Sequence, residues 1–253
     1  MRGNDFLDKM ELISPAYVEA ADTEPKRKKV SWKKWSAVAA CLCIVLGGVI
    51  LFRFSDSPTN PQLGEIVLSD KTTAEVTYGY DGPQTFSESS LVYFSEEKMF
   101  SREDMYIFRG RVSDLENITL DFNGEKEARC IALVVIEEVY KGDLAVGGAI
   151  RMLLPCAIGL EGVSESSAKV IRQIESGMEG IFMPWVYDED SYMEQNGAVL
   201  MQQDIAECGL ADGMRWAFLS TERGLVYDKN AYPGAKDAAD LDDIEEYVTK
   251  MLK

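Results

Sequence analysis

Residues 105–143 read MYIFRGRVSDLENITLDFNGEKEARCIALVVIEEVYKGD, and this stretch decides the fold class. Residues 105–112 are rich in aromatic and branched side chains, as strands are, and a second strand covers 117–122. Asn123-Gly124 then marks a type I′ hairpin, because both central residues of that turn need positive φ, which Asn and Gly tolerate. The strand after this turn, 125–140, carries an unbroken apolar run from Ile131 to Ile136. A run of this kind suits a strand buried on both faces or coiled around a barrel. Lys141-Gly142-Asp143 turns the chain, and Gly147-Gly148 leads into a strand over 149–154 that Pro155 stops.

Working outward, residues 164–176 (SESSAKVIRQIES) predict a helix: Ser164 or Ser166 caps it, Ala168, Ile171 and Ile174 form its apolar stripe, and Gly177 ends it. Further strands are expected at 181–187 and 198–203, then a hairpin of 216–219 and 225–227 around Glu222-Arg223-Gly224. Leu241, Ile244, Tyr247, Val248, Met251 and Leu252 close the chain as an amphipathic helix, with acids early and lysines late to suit its dipole. The expected fold class is therefore mostly β (α+β): a β-rich domain over 66–253 with one inserted helix and a C-terminal helix.

Ahead of that domain, residues 35–52 (WSAVAACLCIVLGGVILF) carry no charge. At about 1.5 Å per residue this run reaches roughly 27 Å, close to the thickness of a bilayer's hydrocarbon, and predicts a transmembrane helix. Lys26, Arg27, Lys28, Lys29, Lys33 and Lys34 precede it, whereas only Arg53 comes after it before Lys71. The positive-inside bias then sets 1–34 as a cytoplasmic tail with a short helix and 53–65 as a linker outside. A cleaved signal peptide fits poorly, since its basic head is short and here a long tail comes first. Val38-Ala39-Ala40-Cys41 looks like a lipoprotein box, but a lipobox cysteine should end the apolar run, and this run continues to Phe52.

Charge divides sharply. Residues 1–54 hold nine Lys/Arg against six Asp/Glu, and residues 55–253 hold 17 against 37. Such a field repels nucleic acid, so no nucleic-acid partner is expected. The chain has no histidine, which removes Ser-His-Asp and Cys-His catalysis and His-ligated zinc together. No cofactor and no metal site is expected. Cys130, Cys156 and Cys208 lie beyond the anchor, an odd count that allows at most one internal disulfide, and each also reads as a small buried hydrophobe.

Phe108-Arg109-Gly110-Arg111-Val112, the long apolar strand, Val139-Tyr140-Lys141-Gly142-Asp143, Val146-Gly147 and Ile150 together resemble an OB-fold-like barrel module of extracytoplasmic proteins from Gram-positive bacteria. The resemblance covers residues 100–185. Tyr17-Val18-Glu19-Ala20-Ala21, the lysine block, Trp32 and Trp35, and Ala39-Ala40-Cys41-Leu42-Cys43 resemble the tail and anchor of single-pass proteins of clostridia-like Firmicutes. Some relatives of that layout act beside extracytoplasmic-function sigma factors, but residues 1–34 contain no Cys or His of a zinc-type anti-sigma motif.

The expected function is a membrane-anchored, non-enzymatic binding or sensing module facing outward, whose partners are the membrane itself and a protein or envelope ligand. Two other readings stay open: an anti-sigma-like regulator signalling through the tail, and a wall hydrolase that uses carboxylates only. Candidate contact residues are the aromatics Trp185, Tyr187, Tyr192 and Tyr232, with Tyr78 and Tyr80 beside them.

Overall fold

The computed structural model describes residues 63–80, 94–159 and 168–253. The tail, the basic block and the apolar run 35–52 lie outside the described residues; among those described, no helix is long and apolar enough to cross a membrane.

The described chain is mostly β. In order it forms β1 (Glu75–Tyr78), α1 (Glu96–Ser101), β2 (Ile107–Phe122), β3 (Glu125–Lys141), β4 (Ala149–Leu154), β5 (Glu179–Phe182), β6 (Trp185–Val186), β7 (Tyr192–Gln195), β8 (Ala198–Met201), β9 (Cys208–Gly209), β10 (Ala217–Thr221), β11 (Gly224–Val226) and α2 (Leu241–Met251). One curled sheet runs β11-β10-β5-β2-β3-β4-β9-β6, with β1 added on β2, while β7 and β8 form a separate hairpin. β4 and β9 pair in parallel. The last strand returns to the start of β2 through a bridge between Met105 and Trp185, where Tyr106 N–H donates to Pro184 O and Val186 N–H to Asp104 O. The sheet is thereby barrel-like.

The two strands expected at 105–112 and 117–122 are one continuous strand. The polar stretch between them stays paired with β3 through a register shift at Val112/Asp114, where the Ser113 hydroxyl donates to Leu133 O; a further shift falls at Arg109/Gly110. Gly110 is the tight point of this coil: a Cβ there would lie 2.7 Å from Val135 O. Asn123 (φ 54°) and Gly124 (φ 93°) make the expected turn. β3 is buried on both faces at its centre: Cys130, Ala132, Val134 and Ile136 enter the main core, and Ile131 enters a second cluster with Ile118, Leu120, Phe122, Leu153, Ala198, Leu200, Ile205 and Ala206.

Three further expectations are corrected. Residues 164–167 lie outside the described residues, and residues 168–173 form a single turn and a 3₁₀ helix, Ile171–Gln173, in place of an α-helix to 176. Val170 and Ile171 give their N–H groups to Gly213 O, and Ile174 is already extended, so the stripe Ala168-Ile171-Ile174 is buried by a tight turn. The strand expected at 181–187 breaks into β5 and β6 around Met183-Pro184, since proline has no N–H for the ladder. Residues 198–203 end their strand at Met201 and continue as a 3₁₀ turn, Gln202–Asp204. The C-terminal helix forms as expected: Asp240 caps it by accepting from the Asp242 and Asp243 N–H groups, and Leu241, Ile244, Tyr247 and Val248 are buried.

Candidate functional site

Between β6 and β9 the chain inserts residues 187–207, and this insertion lies over the outer side of β3 and β4. Ala198, Leu200, Ile205 and Ala206 cover Ile131 and Leu153. Asn196 Nδ2 donates to Phe122 O and Asn123 O, and Asn123 Nδ2 donates back to Asn196 O, so the β2–β3 tip and the β7–β8 tip are tied. Gly209 has to be glycine here, because a Cβ would lie 2.7 Å from Tyr187 Cζ. On the opposite edge, residues 69–74 run along β8. Asp204 accepts from Ser69 N–H, Ser69 Oγ and Thr72 Oγ1, and Thr73 and Ala74 both donate their N–H groups to Val199 O.

A second arrangement sits at the mouth of the main core. α1 is a short helix that would fray alone. It is held at one end by Ser95, which accepts from Lys98 N–H, and at the other by Lys141, whose ammonium donates to Phe100 O and Arg102 O. Met99 and Phe100 bury, leaving Lys98 exposed and Arg102 partly so. The Arg102 guanidinium lies 3.9 Å from the Trp185 ring centroid, a stacked cation–π contact. Trp185 meets Trp216 edge-on at 5.7 Å, and Phe94 meets Trp216 at 6.1 Å. Lys98 Nζ, Arg215 Cζ and Arg102 Cζ lie 5.3, 5.5 and 5.9 Å from the Phe94 centroid. Three cations thus surround one ring in a region that is otherwise strongly acidic.

Asp212 anchors this cluster from below. Its Oδ1 accepts from the Met214 and Arg215 N–H groups, and its Oδ2 accepts from Arg215 Nε at 2.9 Å and Trp216 Nε1 at 2.6 Å. Asp212 and Arg215 are both buried.

The four predicted contact aromatics are not brought together. Trp185 is half-buried and belongs to the cation–aromatic cluster. Tyr187 packs against the second apolar cluster, where burial pushes its phenol pKa up. Tyr192, on β7, is 55% exposed and open to contact. Tyr232 is a correction: it is fully buried, its hydroxyl donates to Arg215 O, and its ring packs among Phe100, Phe218 and Tyr247. The proline after it starts a 3₁₀ turn, Pro233–Ala235, that folds the ring inward. Tyr78 is exposed and its hydroxyl accepts from Ile66 N–H; Tyr80 is partly buried. Phe94, Lys98, Arg102, Asp212 and Arg215 are not legible as a site in the sequence. Asp212 with Arg215 three residues later is the local trace of one half; nothing local joins Arg102 to Trp185.

Cys130, Cys156 and Cys208 are all buried free thiols. Burial pushes the Cys130 thiol up to about 12 and raises the other two as well. Since the thiolate is the reactive form, all three are expected to resist iodoacetamide at neutral pH and to label together on unfolding, as counted by mass spectrometry. Labelling of any of them in the native chain at the rate of an exposed thiol would contradict this placement. Among the described residues no group of three His, Cys, Asp or Glu side chains gathers as metal ligands.

No protein-family model matches this chain, and no curated protein or solved structure matches it either.

Proposed function

We propose that this chain is a membrane-anchored, outward-facing, non-enzymatic binding module built on an OB-type barrel. The observation that carries the barrel type is the strand order β2-β3-β4-β9-β6 returning to β2, in which β4·β9 is parallel and the other neighbours are antiparallel. This order matches that of a five-stranded Greek-key barrel, a fold that offers a curved face and variable loops to ligands. OB barrels commonly bind ligands between the loop joining their first two strands and the loop before their last. Here those two places are the Asn123-Gly124 tip and the insertion 187–207, and they are packed on each other. Ligand contact then falls to the Phe94–Arg102–Trp185 side.

The anchor rests on the uncharged run 35–52 behind its basic block. In intact protoplasts, protease added outside is expected to digest residues 55–253 and spare an epitope placed on the tail. Loss of the tail epitope with the β domain protected would overturn the topology and the outward-facing role with it.

A second reading is a regulator that signals through the tail. One observation favours it: the stretch after the linker, 69–74, is hydrogen-bonded to Asp204 and β8, so a shift of the insertion would pull on the chain leading to the anchor.

A further inference from the structure

Among the described residues, two buried side-chain nitrogens have no hydrogen-bond partner, Arg102 Nε and Trp185 Nε1. Both are donors, and they belong to the same stacked pair. A buried donor without an acceptor costs about 1–3 kcal/mol, so native structures keep few of them and two in one contact call for an acceptor. The surroundings state which kind. Lys98 and Arg215 stand with Arg102 around the adjoining Phe94 ring, and the Asp212 carboxylate that holds Trp216 is taken up by its own turn. Arg102 also shows what its guanidinium takes: one Nη donates to the Asp104 carboxylate, whose side chain is 58% exposed. An exposed pair of this sort is weak and readily exchanged for another oxyanion.

We propose that Arg102 and Trp185 form the donor floor of a ligand site for an oxyanion, a carboxylate or phosphate group, with Lys98 as its outer charge. The oxyanion accepts from Arg102 Nε and from the Trp185 indole, while the Phe94 and Trp216 rings exclude water and strengthen both bonds. The proposal deepens the binding-module reading and rests on it.

The test uses the full-length chain, ¹⁵N-labelled in a neutral maltoside detergent, and follows the indole N–H resonances of its tryptophans. Trp185→Phe assigns the resonance of interest; should that variant fail to fold, paired Trp32→Phe and Trp35→Phe changes leave only Trp185 and Trp216 to distinguish. Acetate and phosphate are titrated separately against sodium chloride of equal ionic strength. The expected result is a saturable downfield shift of the Trp185 indole proton with an oxyanion and none with chloride. The Trp216 indole, already bound to Asp212, should stay in place. Arg102→Gln should weaken the response about tenfold or more, the loss of a charge-assisted bond. Response to acetate alone assigns a carboxylate ligand, and response to phosphate alone assigns a phosphate. No saturable shift with either anion, an equal shift with chloride, or an Arg102→Gln variant of unchanged affinity would overturn the site. These spectra are indifferent to membrane orientation, so a chain that fails the protoplast assay can still show the shift, and the two failures are distinguishable.

Discussion

Asp212→Ala is expected to destabilise the β domain by about 3–5 kcal/mol, the range for removing one partner of a buried ion pair. The carboxylate accepts from two backbone N–H groups, the Arg215 guanidinium and the Trp216 indole within one turn of chain, and its side chain and that of Arg215 are 6% and 11% exposed. Alanine strips Arg215 of this carboxylate and leaves the indole donor of the fully buried Trp216 without its acceptor. For a domain of this size the melting temperature should fall by roughly 10 °C. Asp212→Asn keeps an oxygen for the backbone donors but sets an NH₂ group against the Arg215 and Trp216 donors, so it should lose nearly as much. Thermal and urea unfolding followed by circular dichroism measure both. An alanine variant within about 1 kcal/mol of the parent would show that the cluster is not held from Asp212.

Gly142→Val should cost about 3 kcal/mol or more. Gly142 sits at φ +100°, where a β-branched residue is strained by about 1–2 kcal/mol, and an added Cβ would lie 2.9 Å from Tyr106 Cε1 and overlap the ring further at Cδ1. Gly147 supplies the control. It has φ +83° and nothing within 4 Å of an added Cβ, so Gly147→Val should show backbone strain alone. The difference between the two variants isolates the overlap with Tyr106, and Tyr106→Ala should recover part of the Gly142→Val loss in the double variant. Equal losses at the two glycines would mean that the turn yields and the ring is no obstacle.

Lys141-Gly142-Asp143 reads as a turn from its residues, because a left-handed backbone is a local demand that glycine meets locally. Nothing local says that the Tyr106 ring lies across it. The insertion 187–207 is likewise visible in the sequence only as scattered strand residues, with Tyr187 and Tyr192 as expected contacts, because its role comes from covering Ile131 and Leu153 on strands far away in sequence.

Elements whose energetics are local could be read from their own residues: the Asn123-Gly124 hairpin, the strand buried on both faces through 131–134 and the amphipathic C-terminal helix. It took the packed chain to establish that the two-residue strand Cys208–Gly209 pairs in parallel with β4, that Tyr232 faces inward, and that Arg102 lies on Trp185. A strand of two residues has no period to read, and a stacked pair distant in sequence has no local signature. Both exist because burying the main core brings α1, β4, β6 and the Asp212 turn to one place, and that gain is counted over the whole fold and not over any window of residues.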